Sequence, residues 1–344
     1  MRQEKFLIIT DTHAKRGELD EFALNWDEAF EICERRGINT ILFGGDMVYN
    51  TASQTLDVLS AIKDVLDKAN RKGIMILAIY GNHDMPNREI QNSYLHLFQG
   101  RSNFQVSNQI IVCPEDCNFK LQMVSYYLEN EKFDEFFDDI IYQKSKTRKN
   151  ILLLHEGING GLSIESKENK ELPAKMFEGF DLVLCGHYHN RATISDNIQY
   201  IGSSRQMSFG EDDQKGYTIL FDDGSIEFIQ NQVNKRFTTI ETSFKKLNQN
   251  TIEEISELAD EGYKIRLIVN CEKNEVNLIN KSDYLKAGAT KVVIKADETS
   301  VKVKADQSAF TKYDKSGIIN SYSAFCEERD TDPTFGEKYI KTIS

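Results

Sequence analysis

Five short segments of the chain place metal-type ligands directly after an apolar run. They are Asp11 and His13 after Phe6–Thr10, Asp46 after Asn39–Phe43, Asn82 and His83 after Ile74–Ile79, His155 after Asn150–Leu154, and His187 and His189 after Asp181–Cys185. Of the six histidines, only His96 lies elsewhere. A buried strand that ends in coordinating groups makes a poor core. It is well suited to holding those groups at the carboxyl edge of a sheet, where open α/β folds carry their sites. Residues i and i+2 on an extended segment point to one side, so Asp11 with His13, and His187 with His189, aim together. Two Asp, one Asn and four His form a mixed nitrogen and oxygen set. Such a set suits manganese, iron or zinc and is too rich in nitrogen for calcium. That many donors exceed one ion and suit two ions bridged by a carboxylate. At roughly 3.5–4 Å apart, two ions clamp the attacking and leaving oxygens of a phosphoryl displacement. A single D-x-H, G-D or G-H-x-H is ordinarily a surface loop or a satisfied structural residue. The five together, in order and each at a strand end, carry the reading.

The elements that must hold these residues follow from periodicity. Phe6–Thr10 reads as a buried strand. Leu19, Phe22, Ala23, Trp26, Phe30 and Cys33 recur at helical spacing up to Gly37. Asn39–Phe43 is a second strand, Leu56 to Leu66 a second helix closed near Gly73, and Ile74–Ile79 a third strand. This β-α-β-α-β order implies parallel strands covered by helices. Further on, the pattern predicts a helix over Asn87–Phe98, strands over Phe104–Val112 and Phe119–Tyr127, and a helix over Phe133–Ile141. Strands at Asn150–Leu154 and Asp181–Cys185 follow, then antiparallel strands over Ala192–Gly202, Gly216–Phe221 and Ser225–Gln230, the last two joined by an Asp222-Asp223-Gly224 hairpin turn. Gly157–Lys170 reads as a loop. The pattern changes at Phe237–Phe244. Beyond it, helices at Ile252–Leu258 and Val276–Leu285 alternate with strands at Tyr263–Val269 and Lys291–Ile294, as in a small α/β unit. Two short helices are expected around Ile318–Phe325 and Phe335–Ile340.

The chain has 344 residues, 40% hydrophobic and 28% charged, enough for two domains with a large core. Its net charge is −12, most of it on residues 1–240, which argues against a broad nucleic-acid-binding surface but leaves room for a local groove. The six Cys include no C-x-x-C pair and read as buried free thiols. The apolar stretch near the start, Phe6–Ile9, is too short for a signal-peptide core or a membrane span, so the expected location is cytoplasmic.

The set Asp11-x-His13, Gly45-Asp46, Gly81-Asn82-His83-Asp84, His155 and Gly186-His187-x-His189 resembles the calcineurin-like metallophosphoesterases. The resemblance implies an α/β fold, a four-layer sandwich holding two divalent metals. Manganese is foremost among these, with magnesium, iron or zinc as alternatives. Carried across residue by residue, it implies Asp11, His13, Asp46 and His189 on one metal. Asn82, His155 and His187 would complete the other, with Asp46 bridging. His83 would be catalytic, stabilising the transition state or protonating the leaving oxygen, with Asp84 orienting it. Water activated by the ions would be the nucleophile.

A narrower resemblance rests on Gly202-Ser203-Ser204-Arg205-Gln206-Met207-Ser208-Phe209-Gly210-Glu211 followed by Lys215-Gly216-Tyr217. It is similar to a segment of the SbcD-type DNA-repair nucleases, including phage relatives. This implies substrate contacts at Ser203, Arg205 and Ser208, although turn and capping chemistry fits Ser203, Ser208 and Glu211 equally well. It also implies a small capping domain. The expected division is a nuclease domain over 1–238, a capping domain over 239–305 and a partner-docking segment over 306–344. The function implied is a two-metal DNA nuclease, the nuclease component of an SbcCD-like complex, acting as a homodimer with an SbcC-like ATPase, off the membrane, in a bacterial or phage-infected cell. A stand-alone phosphatase or small-molecule phosphodiesterase, or a non-catalytic scaffold, are the alternatives.

Overall fold

The chain begins as the hydrophobic pattern dictates. In a computed structural model that describes residues 2–87, 92–127, 132–159 and 171–296, with the single positions Tyr322, Cys326 and Thr334, β1 (Glu4–Ile9) leads into α1 (Leu19–Arg36). The helix buries Phe22, Trp26, Ala29, Phe30 and Cys33, spaced three or four apart, and stops at Gly37, whose φ of +66° is left-handed. β2 (Thr40–Gly44), α2 (Leu56–Arg71) and β3 (Met75–Ile79) follow, with β1, β2 and β3 mutually parallel.

Two six-stranded sheets stack face to face. The first is completed by β4 (Phe104–Val106), β11 (Gly216–Phe221) and β12 (Ile226–Gln230), in the order β12-β11-β1-β2-β3-β4. The second contains β5 (Gln109–Val112), β6 (Phe119–Val124), β7 (Lys149–Leu154), β8 (Leu182–Cys185), β9 (Ala192–Ser195) and β10 (Ile198–Tyr200), in the order β5-β6-β7-β8-β10-β9. The period of two in β1 sorts its side chains cleanly. Phe6 and Ile8 face the second sheet, meeting Phe119, Leu121, Met123 and Leu153, while Leu7 and Ile9 join Trp26, Phe30 and Ile62 under α1 and α2. On the far side α3 (Lys132–Tyr142) lays Phe133, Phe137 and Ile140 on Val124, Leu152 and Leu154. The result is helix, sheet, sheet, helix: the four-layer sandwich expected.

A third, parallel sheet of three strands stands apart from these. It comprises β13 (Phe237–Ser243), β14 (Lys264–Cys271) and β15 (Lys291–Ala296), with α4 (Gln249–Asp260) and α5 (Lys281–Lys286) between strands. Ile255, Ile265, Leu267, Val269, Ile279 and Val292 form its own core. The change of pattern at Phe237–Phe244 is thus itself a strand, and this sheet begins at Phe237.

Four elements differ from the sequence expectation. Ala192–Gly202 turns back on itself at Asp196 and Asn197 to give β9 and β10, and β10 pairs parallel with β8 as well as antiparallel with β9. Phe104–Val112 is not one strand. It breaks at Ser107 and Asn108, so that β4 pairs with β3 in the first sheet and β5 with β6 in the second. Ser107 marks the crossing: its N–H donates to Ala78 O (3.2 Å), and its carbonyl accepts from Ser125 Oγ (2.9 Å). Of Asn87–Phe98 only Tyr94–Phe98 is a described helical turn, of 3-10 type and capped by Ser93. Val276–Leu285 divides because Asn280 accepts from Ser282 N–H and starts α5 afresh. Most of the Gly157–Lys170 loop and the expected helices of 306–344 lie outside the described residues. Among the described residues no helix is long and apolar enough to cross a membrane.

Candidate metal centre

The loops after β1 and β2 are zipped together by backbone. Asp11 N–H donates to Gly45 O (2.9 Å) and His13 N–H to Asp46 O (3.1 Å). Asp84 locks the second loop from below. Its carboxylate accepts from the N–H groups of Asp46 (2.8 Å), Met47 (2.8 Å), Val48 (3.0 Å) and Gly81 (2.9 Å). Burial and the Asp46 charge push the Asp84 carboxyl up to about 7, against these hydrogen bonds. The non-glycine residues with left-handed φ among the described residues are Asp11 (53°), His13 (45°), Asp46 (60°) and His187 (83°). All four are ligand candidates from the sequence. Such backbone costs of order 1–3 kcal/mol per residue and gathers at functional sites.

The side chains converge in two clusters. The candidate ligand atoms of Asp11, His13 and His189 lie within 4.8 Å of one another, as do those of Asp11, Asp46 and His155. Asp46 Oδ2 stands between them, 3.8 Å from His13 Nε2 and 3.3 Å from His155 Nε2. His13 Nε2 is 3.0 Å from His189 Nε2, and His187 Nδ1 is 3.0 Å from Asn82 Oδ1. Two donors each about 2.1 Å from one ion, at right angles, stand about 3 Å apart, so both pairs fit a shared cation.

Tautomers are set by carbonyls, which only accept. His13 Nδ1 donates to Val48 O (3.1 Å) and His155 Nδ1 to Gly44 O (2.8 Å), leaving each Nε2 lone pair for the site. Burial lowers His13 to about 3, the neutral form a metal needs. Burial also works against a charged His155, yet Asp46 and Asp11 beside it outweigh burial and push it up to about 10. The carboxylates therefore call for positive charge at this point. Asp11 Oδ1 and His155 Nε2 are buried with no hydrogen-bond partner, a costly condition that a cation relieves. The donor set, its spacing and these orphaned atoms fit a two-ion centre.

The sequence profile of the family described as calcineurin-like phosphoesterase matches residues 4–191. The chain belongs to that family. Among curated relatives it is 23% identical over 214 residues to a putative phosphoesterase, 078R, of Invertebrate iridescent virus 3, covering 61% of this chain and 60% of that one. It is 24% identical over 220 residues to the DNA double-strand break repair protein Mre11 of Methanocaldococcus jannaschii, with 58% and 56% covered. It is 25% identical over 233 residues to the SbcD component of nuclease SbcCD from Staphylococcus saprophyticus, with 59% and 60% covered. The match thus spans about three-fifths of the length of each of these relatives.

Around this candidate centre, three sequence assignments change. Asp84 does not orient the His83 ring, because both its oxygens are taken by backbone N–H groups. The ring is held instead by Tyr49 O, 2.5 Å from Nδ1, and the His83 N–H donates to Asp46 Oδ1 (2.9 Å). Arg205 is only 2% exposed and faces inward, donating to Thr12 O (3.3 Å) and His13 O (3.1 Å) beside Glu18, so it braces the Asp11–His13 loop rather than meeting substrate. Ser203 is fully buried and donates to Arg205 O (2.9 Å). Ser208 is exposed and donates to Glu211 (3.1 Å). Sequence reasoning did not find Thr10, whose hydroxyl donates to Asp11 Oδ2 (2.7 Å), or Tyr126, whose ring stacks on His187 at 6.1 Å. No local spacing signals either contact.

Proposed function

We propose that the chain is a two-metal phosphodiesterase that cleaves DNA, the nuclease component of an SbcCD-like complex. The observation that carries the chemistry is the convergence of five donors in two clusters, with His187 and Asn82 paired beside them through His187 N–H on Asp11 Oδ2 (3.2 Å), and His83 at the edge, its ring centroid 5.0 Å from that of His13. The names of the archaeal and staphylococcal relatives support the substrate. In this reading Asp11, His13, Asp46 and His189 hold one ion, and Asn82, His155 and His187 with the shared Asp46 hold the other. Bound there, two divalent ions, manganese foremost, supply Lewis acidity at the phosphoryl oxygens and a lowered pKa for the attacking water. The protein's part is to aim the Nε2 lone pairs of His13 and His155 at the site and to set His83 beside the phosphate. With Nδ1 held on Tyr49 O, His83 works through Nε2, stabilising developing charge or protonating the leaving oxygen. A homodimer and an SbcC-like ATPase, docked through 306–344, complete the proposal, in a cytoplasmic setting. The division into nuclease and capping domains belongs to it too.

The test is metal-dependent hydrolysis of a bis-aryl phosphate diester, the matching monoester, and labelled single- and double-stranded DNA by wild type and His83→Ala. Diester and DNA cleavage that falls about 10²–10⁴-fold in the variant, with both ions still bound, is expected. Activity confined to the monoester would replace the nuclease reading with a phosphatase. Failure to bind manganese would leave a scaffold.

A further inference from the structure

We propose that Glu211 is a positioning residue for His189, carried to the metal centre by a loop that the third sheet holds in place. This rests on the two-metal reading above. Glu211 lies in the connection between β10 and β11, and its side chain is 10% exposed. Its Oε1 is 3.0 Å from His189 Nδ1. An ionised carboxylate only accepts, so Nδ1 carries the proton and the Nε2 lone pair is turned to the cluster, 3.0 Å from His13 Nε2 and 3.8 Å from Asp11 Oδ1. The carboxylate is itself fixed. Ser208 Oγ donates to Oε1 (3.1 Å), Met207 N–H donates to Oε2 (3.1 Å), and Lys215 Nζ lies 3.6 Å from Oε2. A carboxylate behind a ligating imidazole sets its tautomer and raises its basicity.

The loop that carries Glu211 is gripped from the other side by the third sheet. Gln206 donates through Nε2 to Glu211 O (3.2 Å), and its Oε1 accepts from the N–H of Phe237, where β13 begins (2.8 Å). The Phe209 ring meets the Phe237 ring edge-on at 5.0 Å. Arg266 on β14 donates to Phe209 O (3.3 Å) with its guanidinium 5.1 Å from the Phe209 ring centre. A continuous set of contacts thus runs from β13 and β14 through Gln206, Phe209 and Glu211 to His189. The carboxylate helps shape one of the two ion sites and leaves the other alone.

The experiment is calorimetric titration of the full chain with manganese, and with cobalt followed by visible absorption, in wild type, Glu211→Ala, Glu211→Gln and Phe209→Ala. Wild type binds two ions. Glu211→Ala weakens one of them about 10–100-fold and alters the cobalt spectrum of that site only. Glu211→Gln keeps an acceptor of equal length on Nδ1–H and restores most of the affinity. Phe209→Ala, which leaves the carboxylate in place, weakens the same site by a smaller factor and serves if Glu211→Ala does not fold. Two ions bound by Glu211→Ala with wild-type affinities would overturn the inference while leaving the function intact. Unchanged affinities in Phe209→Ala would overturn the part given to the third sheet. Fewer than two ions in wild type would overturn the two-metal reading itself, and the inference with it.

Discussion

A methyl group at Gly81 tests how closely the donors are fitted. A Cβ built there stands 2.1 Å from Asp46 Oδ1, 2.7 Å from Asp46 Cγ and 2.6 Å from His155 Nε2. Gly81 does not have left-handed φ, so Gly81→Ala asks for space and not for a forbidden backbone. To restore ordinary contact at 3.4 Å, Asp46 Oδ1 must retreat by about 1.3 Å. Asp46 is held by its own N–H on Asp84 and through its accepted bond from His83 N–H, so the retreat breaks the bridge between the clusters. Overpacking of this kind costs about 1–3 kcal/mol of stability, which a domain of this size survives. A misplacement of about 1 Å at reacting groups costs about 10²-fold in rate. The expected result is a folded Gly81→Ala protein that retains at most one ion after dialysis and loses about 10²-fold in turnover of the diester. Gly210→Ala is the control, because the nearest atom to its Cβ is Ser208 Oγ at 3.9 Å. Two ions retained by Gly81→Ala, with wild-type turnover, would refute the placement of Asp46 and His155 as ligands around this glycine.

Arg205→Ala removes a buried cation and leaves the Thr12 and His13 carbonyls and Glu18 short of a partner, so it should cost about 3–5 kcal/mol in urea unfolding with the KM for a small diester unchanged. A raised KM without loss of stability would return Arg205 to substrate binding. Glu18 joins the sandwich to the third sheet through Lys264 (2.9 Å). Its burial favours the neutral acid, but Lys264, with Lys15 and Arg205, holds the carboxyl below its ordinary 4.5. A depressed folded pKa contributes stability that is complete above 4.5 and lost as pH falls through the folded value. Hydrogen exchange on Lys264–Cys271 should therefore quicken in acid in wild type, and show less of that pH dependence in Glu18→Gln; identical profiles would exclude the link.

What the sequence made legible was whatever obeys a local rule. Alternation in Phe6–Ile9 and the helical spacing of Phe22, Trp26 and Phe30 specify both the elements and the faces they bury, because burial acts residue by residue along a known period. The candidate donors stood out for the opposite reason: they interrupt apolar runs where a core has no use for them. The break at Ser107 was not legible, since either half of Phe104–Val112 makes an acceptable strand and only the presence of two sheets decides that the chain changes between them. Nor were the supports of the site. Asp84 reaches the loop at 46–48, and Arg205 reaches Thr12 and His13, across sequence distances over which no periodicity speaks. An Arg in a polar loop reads as a phosphate contact until its burial is known.

The strained backbone explains why those supports are so many. Asp11, His13, Asp46 and His187 adopt a conformation that β-carbons disfavour, at a combined cost of about 4–12 kcal/mol. That cost is comparable to the whole stability of an ordinary domain, so it must be offset where it arises. The offsets are visible. Four N–H groups converge on Asp84, backbone bonds tie residue 11 to 45 and 13 to 46, Arg205 takes the carbonyls of Thr12 and His13, and Thr10 caps Asp11. An ordinary hydrogen bond contributes about 0.5–1.5 kcal/mol and one to a charged group about 1.5–3 kcal/mol, so together these bonds are of the size needed to hold the turns. The turns that carry the candidate donors are therefore tied by the protein's own hydrogen bonds. Asp11, His13, Asp46 and His187 follow the carboxyl ends of β1, β2 and β8, so the strain sits where the candidate donors gather. Preorganisation of this kind has a consequence for sequence change: substitutions at Asp84 or Arg205, neither a candidate ligand, should matter as much to the centre as substitutions at some of the ligands themselves.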